Sequence, residues 1–263
     1  MMGAVRSAVR NGAASYSPTM SMLGKGIVLL SAFTPSDLEL TLAELCRRTG
    51  IAKPTAHRLL GELDRWGLIE RTPDGFRLGI GLFELGARAP AQLRLREAAA
   101  PGLADLAEAT RETVHLAVLA GTDVLYIQKL AGRGGPSVGS RIGGRMPAYC
   151  TGVGKALLAF SPPDCLAAVV EAGLIRRTAR TVVAAGLLER QLAGIRKRGY
   201  AEEHEESTRG IACVAAPILG PDGSARAAVS ITGWASRLDT TRMAPAVRTA
   251  ALGIGRALTD RVR

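Results

Sequence analysis

Aromatic residues are scarce in this chain of 263 residues, because phenylalanine, tryptophan and tyrosine together make up only 4% of it. A hydrophobic core must therefore be built mainly from Leu, Ile, Val and Ala, which supply most of the 47% of residues that are hydrophobic. A chain of this length can hold two domains and bury its core without disulfide bonds or metal ions. The composition predicts a globular protein.

Paired metal-ligand motifs are missing as well. The four cysteines include no C-x-x-C pair, and the three histidines stand at unrelated spacings. These absences argue against a zinc knuckle and against a disulfide framework, and they favour reduced thiols in a cytoplasmic protein. We therefore expect neither a metal ion nor a cofactor.

Long apolar runs are also absent. None approaches the roughly 18 residues that a membrane-spanning helix needs, so we expect no membrane partner. Residues 1–20 contain Arg6 and Arg10 but lack the compact apolar stretch of a secretory signal. We interpret this segment as a flexible tail, and the alternative is an arm that contacts DNA.

Acidic residues are outnumbered, and the chain carries a net charge of +11. A basic protein suits a polyanionic partner such as nucleic acid. Residues 1–90 contain 11 basic and 8 acidic side chains, whereas residues 91–263 contain 23 and 15. Most of the excess lies in the second segment, so the charge permits DNA binding by the first segment and does not establish it.

The sequence of the first segment, residues 1–90, predicts two short helices before residue 50. Apolar spacing predicts a helix over Met22–Phe33, with Leu23, Ile27, Val28 and Leu30 as its packing stripe. Thr41-Leu-Ala-Glu is then a capping box, in which each side chain satisfies a backbone amide of the helix start. It predicts a second helix over Leu42–Arg48, closed by Gly50.

A third helix and a hairpin are predicted to follow after a tight turn. Pro54 suits the first turn of a helix, and Ala56, Leu59, Leu60 and Leu63 form its buried face. Asp74-Gly75 between short apolar stretches predicts a two-stranded wing. Two helices joined by a tight turn predict a helix-turn-helix, whose last helix lies in the DNA major groove. The alternative is a small helical subdomain with a hairpin.

Six polar residues of this module are the candidates for DNA contact. An arginine on the third helix can form a bidentate pair with guanine or grip a phosphate. The candidates on the helix and the wing are Lys53, Thr55, His57, Arg58, Arg71 and Arg77.

The rest of the chain mixes helices with hairpin strands, which predicts an α+β sheet domain. The predicted strands are 114–120, 124–130, 211–219 and 226–232. The predicted helices are 82–89, 91–110, 151–160, 164–171, 187–198 and 240–261. Thr151-Gly-Val-Gly opens a helix whose free amides favour an anion. It is not a Walker loop. A Walker loop requires glycine at the position of Tyr149, and it requires Ser or Thr at the position of Ala156.

Several separated motifs occur along the chain in a characteristic order. They are Thr41-Leu-Ala-Glu-Leu, Lys53-Pro-Thr-Ala-His-Arg-Leu-Leu, Gly67-Leu-Ile-Glu-Arg, Arg77-Leu-Gly, Gly144-Arg-Met-Pro-Ala-Tyr-Cys-Thr-Gly-Val-Gly-Lys, Arg198-Gly-Tyr-Ala and Gly210-Ile-Ala-Cys-Val-Ala-Ala-Pro-Ile. Together they resemble the IclR family of bacterial transcriptional regulators over residues 22–260.

The resemblance implies a domain order and a function. It implies a winged helix-turn-helix over residues 21–80, a linker helix over 81–97 and a GAF-like α/β effector-binding domain over 98–263. It also implies a homodimer, often paired into a tetramer, that binds double-stranded operator DNA and a small organic acid. Members of the family act as repressors or as activators, and the sequence does not choose between them.

The resemblance further implies which residues line the effector pocket. They are Gly152, Val153, Glu203, Cys213, Ser230 and Thr232. Helix-end amides would hold a carboxylate, and two hydroxyls spaced two apart on a strand point to the same face. The chain departs from the family pattern in two places. Pro54 replaces a serine of the recognition helix, and Glu203 stands where an aspartate is expected.

Two other functions are weighed. One is a thiol-dependent enzyme that uses Cys213 or Cys150 with His115 or His204 as base, and an isolated cysteine on an apolar strand is more often a packing residue. The other is a ligand sensor whose helix-turn-helix contacts proteins. Residues 202–206 form an acidic run, which we interpret as a solvated loop, and a metal site through His204 lacks spaced partners. We therefore expect no enzyme.

Overall fold

The computed structural model describes residues 19–136 and 138–260. The chain divides into two compact units, Met1–Pro90 and Ala91–Arg263. The tail predicted for residues 1–20 lies outside the described residues, apart from its last two. No helix within the described ranges combines the length and the apolarity needed to cross a membrane.

The N-terminal unit has the predicted order of three helices, a hairpin and a further helix. Thr41 caps the second helix by accepting a hydrogen bond from the Glu44 amide, and Gly50 ends it at φ 73°. The turn of only three residues brings the third helix across the second. The elements are α1 (Met22–Ser31), α2 (Leu42–Thr49), α3 (Lys53–Arg65), β1 (Ile69–Arg71), β2 (Phe76–Leu78) and α4 (Gly81–Ala87).

The predicted packing stripe of α1 is correct for Val28 and Leu30 and wrong for Leu23 and Ile27. Leu23 is 76% exposed and Ile27 is 44% exposed, whereas Val28 and Leu29 are buried in the core of the unit. The segment is apolar on nearly all sides, so its periodicity cannot select the face that turns inward. The buried face of α3 is as predicted, because Ala56, Leu59 and Leu60 belong to the same core, which also contains Leu45, Ile69 and Phe76.

The C-terminal unit is built around one antiparallel sheet of six strands. The strand order is β5-β4-β3-β8-β7-β6. The elements are α5 (Pro90–Thr110), β3 (Thr113–Ala120), β4 (Asp123–Leu130), β5 (Arg145–Pro147), a 3-10 turn (Ala148–Cys150), α6 (Gly152–Ala159), α7 (Pro163–Glu171), α8 (Ala185–Arg198), β6 (Ala201–His204), β7 (Ile211–Leu219), β8 (Ala225–Trp234) and α9 (Thr240–Asp260).

Helices cover both faces of this sheet. One face packs against α6, α7 and α8 and contributes Cys213 and Ala215 to that core. The opposite face packs against α5 and α9 and contributes Val214 and Ala216. Alternate residues of β7 therefore enter different cores, which explains why its sequence is a continuous run of apolar and small residues.

The prediction of a solvated loop for residues 202–206 is wrong. Residues 201–204 form the edge strand β6, paired with β7 so that Glu203 lies opposite Cys213. Glu203 and Glu206 are buried. The carboxylate of Glu206 forms an ion pair with the ammonium group of Lys155, whose side chain is 1% exposed. Hydropathy patterning misses such a segment because charged residues occupy its inward positions.

Two glycines allow close packing around the start of α6, Gly152 against the sheet and Gly154 against the preceding 3-10 turn. A Cβ atom at Gly152 would lie 2.7 Å from the sulfur of Cys213 on β7. A Cβ atom at Gly154 would lie 2.2 Å from the carbonyl oxygen of Ala148. The motif Thr151-Gly-Val-Gly therefore sets the distance between the helix start and the strands, in addition to opening the helix.

Candidate functional site

A cavity of about 250 Å³ opens in the C-terminal unit where the first turn of α6 meets strands β3, β6, β7 and β8. All six residues predicted for the effector pocket line it. Cys213 lies opposite both Glu203 and Thr232 in the strand pairing, so these three side chains form one row across the sheet. Ser230 lies two residues before Thr232 on the same face of β8, and Gly152 and Val153 supply the start of α6.

Several residues of the cavity wall were not predicted. His115 on β3 has its Nε2 atom 2.7 Å from the hydroxyl of Ser140, and its Nδ1 atom lies 3.4 Å from the hydroxyl of Thr232. Its ring lies 5.1 Å from that of Tyr126. The other polar residues of the wall are Arg145, Thr151, Arg177, Ser207 and Thr208. The alternation of side chains between the two faces of β3 could have indicated that His115 faces the cavity. The wall residues that come from loops carry no periodic signal in the sequence.

The loop that carries Ser140 is attached to the sheet. The ammonium group of Lys129 donates to the carbonyl oxygens of Ser140 at 2.6 Å and of Val138 at 3.2 Å.

Burial, helped by the nearby charge of Lys129, lowers the pKa of His115 to about 3. His115 is therefore a neutral hydrogen-bonding group of the wall at physiological pH.

Glu203 is the acidic group of the cavity. Its Oε1 atom accepts hydrogen bonds from the amides of Glu206 at 2.5 Å and Ser207 at 3.1 Å. Burial outweighs these bonds and raises the pKa of Glu203 to about 7. The side chain can therefore exchange a proton near neutral pH, which makes the polarity of the cavity sensitive to pH.

The second candidate surface is the outer face of α3 in the N-terminal unit. Lys53, His57 and Arg58 are exposed on this helix, and Thr55 is half-buried. The opposite side of α3 packs into the core, so the exposed side is free to meet a partner. Within the described residues, the three exposed side chains form no ion pair.

The two wing arginines each have an acidic neighbour. Arg77 pairs with Glu70 at 2.6 Å. Arg71 lies 3.9 Å from the carboxylate of Asp64 and stacks over the ring of Phe76 at 5.1 Å. Both arginines are therefore exposed on the hairpin, and part of the charge of each is compensated.

Comparison with known families identifies this arrangement. The family model described as IclR helix-turn-helix domain matches residues 22–73, and the one described as bacterial transcriptional regulator IclR C-terminal matches residues 88–256. The chain belongs to the IclR family of bacterial transcriptional regulators. The winged helix-turn-helix and the α/β domain described above are the two parts of the IclR fold.

Individual IclR-family proteins agree with this assignment. The regulator XynR of Escherichia coli is 31% identical over 247 residues, which cover 92% of this chain and 98% of XynR. The repressor IclR of E. coli is 31% identical over 226 residues, 84% of this chain and 82% of that protein. The crystal structure of an IclR homologue from Microbacterium hydrocarbonoxydans, complexed with 4-hydroxybenzoate, superposes with a TM-score of 0.86 at 31% identity and covers 91% of this chain and 100% of that one.

The alternative of a thiol-dependent enzyme finds no support. The relatives in the IclR family are named as transcriptional regulators. Burial raises the pKa of both the Cys150 and the Cys213 thiols to about 12, so both are protonated at neutral pH. A protonated thiol is a poor nucleophile, and the neighbouring His115, with its lowered pKa, is a weak base.

We predict that Glu203→Gln alters the pH dependence of stability. The pKa of Glu203 is about 7 in the folded chain against an ordinary value of 4.5. Its favourable contribution to folding is therefore complete below about pH 4.5 and is lost as the pH rises through about 7. The melting temperature of the wild type should fall relative to that of the Gln variant between about pH 5 and about pH 8.

Thermal unfolding of both proteins across this range measures the effect. Glu189→Gln is the matched control, because Glu189 is exposed on α8. For this variant, the difference in melting temperature from the wild type should stay constant as the pH changes. If the difference in melting temperature between Glu203→Gln and the wild type does not vary with pH, the raised pKa of Glu203 is contradicted.

Proposed function

We propose that this IclR-family chain binds double-stranded operator DNA through residues 21–80 and a small organic acid in the cavity of residues 98–263, with 81–97 as the linker. One observation carries the effector assignment: Gly152, Val153, Glu203, Cys213, Ser230 and Thr232 converge on a single cavity although they come from four separate elements and are up to 80 positions apart. Binding of the acid would change the affinity for DNA.

The cavity offers the groups that a carboxylate needs. The amides of Gly152 and Val153 stand at the positive end of the α6 dipole. Ser230 and Thr232 provide hydroxyl donors, and Arg145 and Arg177 are among the residues of the wall. The volume of about 250 Å³ suits a small ligand. The homologue that binds 4-hydroxybenzoate makes single-ring hydroxy acids the first compounds to test.

On the DNA side, we propose that α3 enters the major groove. Lys53, Thr55, His57 and Arg58 would meet base edges and phosphates there, as expected for the second helix of a helix-turn-helix. Arg71 and Arg77 would reach the backbone or the minor groove from the wing, which requires them to release part of their pairing with acidic neighbours.

We also propose that the protein acts as a cytoplasmic homodimer that can pair into a tetramer. Exposed apolar side chains support self-association of the N-terminal unit. Leu23 and Ile27 are exposed on α1, and Ile80 and Phe83 are exposed at α4, where Phe83 is 71% accessible. A two-fold dimer would read a roughly palindromic operator.

We predict that 4-hydroxybenzoate raises the melting temperature of the wild type and that Thr232→Val weakens its binding about tenfold or more, because a hydrogen bond to a charged group is lost. Thermal-shift titrations of a panel of small organic acids measure both effects. Thr249→Val, at an exposed position of α9, is the matched control and should bind like the wild type. Equal binding of the uncharged 4-hydroxybenzamide, or no shift with any acid, contradicts the proposal.

We predict that Arg58→Ala weakens binding to a duplex from the protein's own promoter region about tenfold and reduces the dependence of binding on salt. Fluorescence anisotropy of a labelled duplex at several salt concentrations measures both. Arg65→Ala removes the same charge at the other end of α3, where Arg65 pairs with Glu62, and should have a small effect. Equal losses for the two variants, or binding indifferent to salt, would favour a module that contacts proteins.

A further inference from the structure

A groove separate from the effector cavity runs along the C-terminal unit between the end of α8, the end of β7 and α9. It consists of two adjoining hollows of about 730 Å³ and 600 Å³. Both hollows contain Leu219, Gly220, Pro221, Gly255 and Thr259, so they form one continuous surface, which we name the α8–α9 groove. None of the residues that line the effector cavity takes part in it.

One end of the α8–α9 groove is strongly basic. Its wall contains five cations and no carboxylate, and within the described ranges none of the five forms an ion pair. Two of them donate only to backbone carbonyls, Arg196 to Ala159 at 3.2 Å and Arg198 to Tyr200 at 2.9 Å. The five cations are Arg196, Lys197, Arg198, Arg248 and Arg256.

The other end of the groove is largely apolar. Leu95, Val118 and Leu258 form its wall. Gln92, Arg94 and Arg226 also line this end, and Asp222 compensates the charge of Arg226 at 2.9 Å. Leu252, which lines the basic hollow, is 60% exposed, so apolar surface continues between the charged side chains.

The charge of the groove determines what can occupy it. Five uncompensated cations on one concave surface repel one another, and an anion would relieve that repulsion. A two-fold contact of this surface with itself in a second copy is unfavourable, because it would bring two such sets of cations together. The size of each hollow is that of small-molecule sites, and the largely apolar end offers contact area to a ligand that has an apolar body.

We propose that the α8–α9 groove is a second ligand site, which binds an organic anion with a multiply charged head and an aliphatic or aromatic body. The head, a phosphate or a pair of carboxylates, binds among Arg196, Arg198, Arg248 and Arg256. The body lies along Leu252 and Leu219 towards the apolar end. Such a ligand differs from the small acid of the effector cavity in size and in charge.

Isothermal titration calorimetry of the full chain with octyl phosphate and with 2-octylmalonate tests the proposal. We expect at least one of them to bind with one site per chain, and the stronger binder identifies the head as phosphate or dicarboxylate. Inorganic phosphate, which lacks the body, and octyl glucoside, which lacks the charge, should each bind about tenfold more weakly or not at all.

Variants locate the site. The double variant Arg248→Gln/Arg256→Gln should bind about tenfold more weakly, and it should keep its melting temperature because both side chains are exposed and unpaired among the described residues. Arg242→Gln is the matched control, an exposed arginine of α9 outside the groove, and should bind like the wild type. The response of the double variant to 4-hydroxybenzoate should be unchanged, which separates this site from the effector cavity.

Four results would overturn the proposal. The first is that neither octyl anion binds. The second is that octyl glucoside binds as well as octyl phosphate, which would indicate apolar adhesion alone. The third is that Arg242→Gln weakens binding as much as the double variant, which would indicate overall charge. The fourth is that a short DNA duplex displaces octyl phosphate from the wild type and not from the double variant, which would make the groove a nucleic-acid surface.

Discussion

The close contact between the start of α6 and the centre of the sheet is the feature on which the sensing half of this protein depends. Gly152 permits the contact, because a side chain there would meet Cys213 of β7 at less than van der Waals distance, and Gly154 likewise lets the helix pack on Ala148 of the preceding 3-10 turn. One turn further along, the buried ion pair of Lys155 and Glu206 fastens the helix to the segment that follows β6. Loss of either partner would leave an uncompensated buried charge, which is strongly destabilising. The cavity forms where the start of α6 meets strands β3, β6, β7 and β8.

The same contact gives the cavity its chemistry. It places helix-end amides, two strand hydroxyls and the carboxyl group of Glu203 around one small volume, while His115 stays neutral in the wall. Under the proposed function, a ligand bound in this cavity would contact α6, β6 and β8 together. Glu203 accepts a hydrogen bond from the amide of Glu206, whose carboxylate pairs with Lys155, so one hydrogen bond connects the cavity to the ion pair that fixes α6.

The sequence predicted the N-terminal module well because its signals are local. The cap by the Thr41 hydroxyl, the glycine at residue 50 and the Asp74-Gly75 turn each act over a few residues, although the carboxylate of Glu44 pairs with Arg47 and Arg48 instead of completing the predicted capping box. The packing face of α1 was predicted only in part, because that helix is apolar nearly all round. Strand β6 was missed because its inward position holds Glu203, and β5 because it has only three residues. The six effector-pocket residues were predicted from the family resemblance alone, because no local sequence pattern relates residues as distant as 152 and 232. The contact between His115 and Ser140 was not predicted, because it arises only in the tertiary fold.

The central claim is that occupancy of this cavity changes the affinity for operator DNA. The most direct measurement is the Kd of the wild-type chain for its operator, without acid and with the acid at saturation, together with the Kd for the acid with and without operator. Thermodynamic linkage requires both affinities to change by one common factor, and allosteric coupling of this kind is typically about 5- to 150-fold. An acid that binds in the cavity and leaves the operator Kd unchanged would contradict the account.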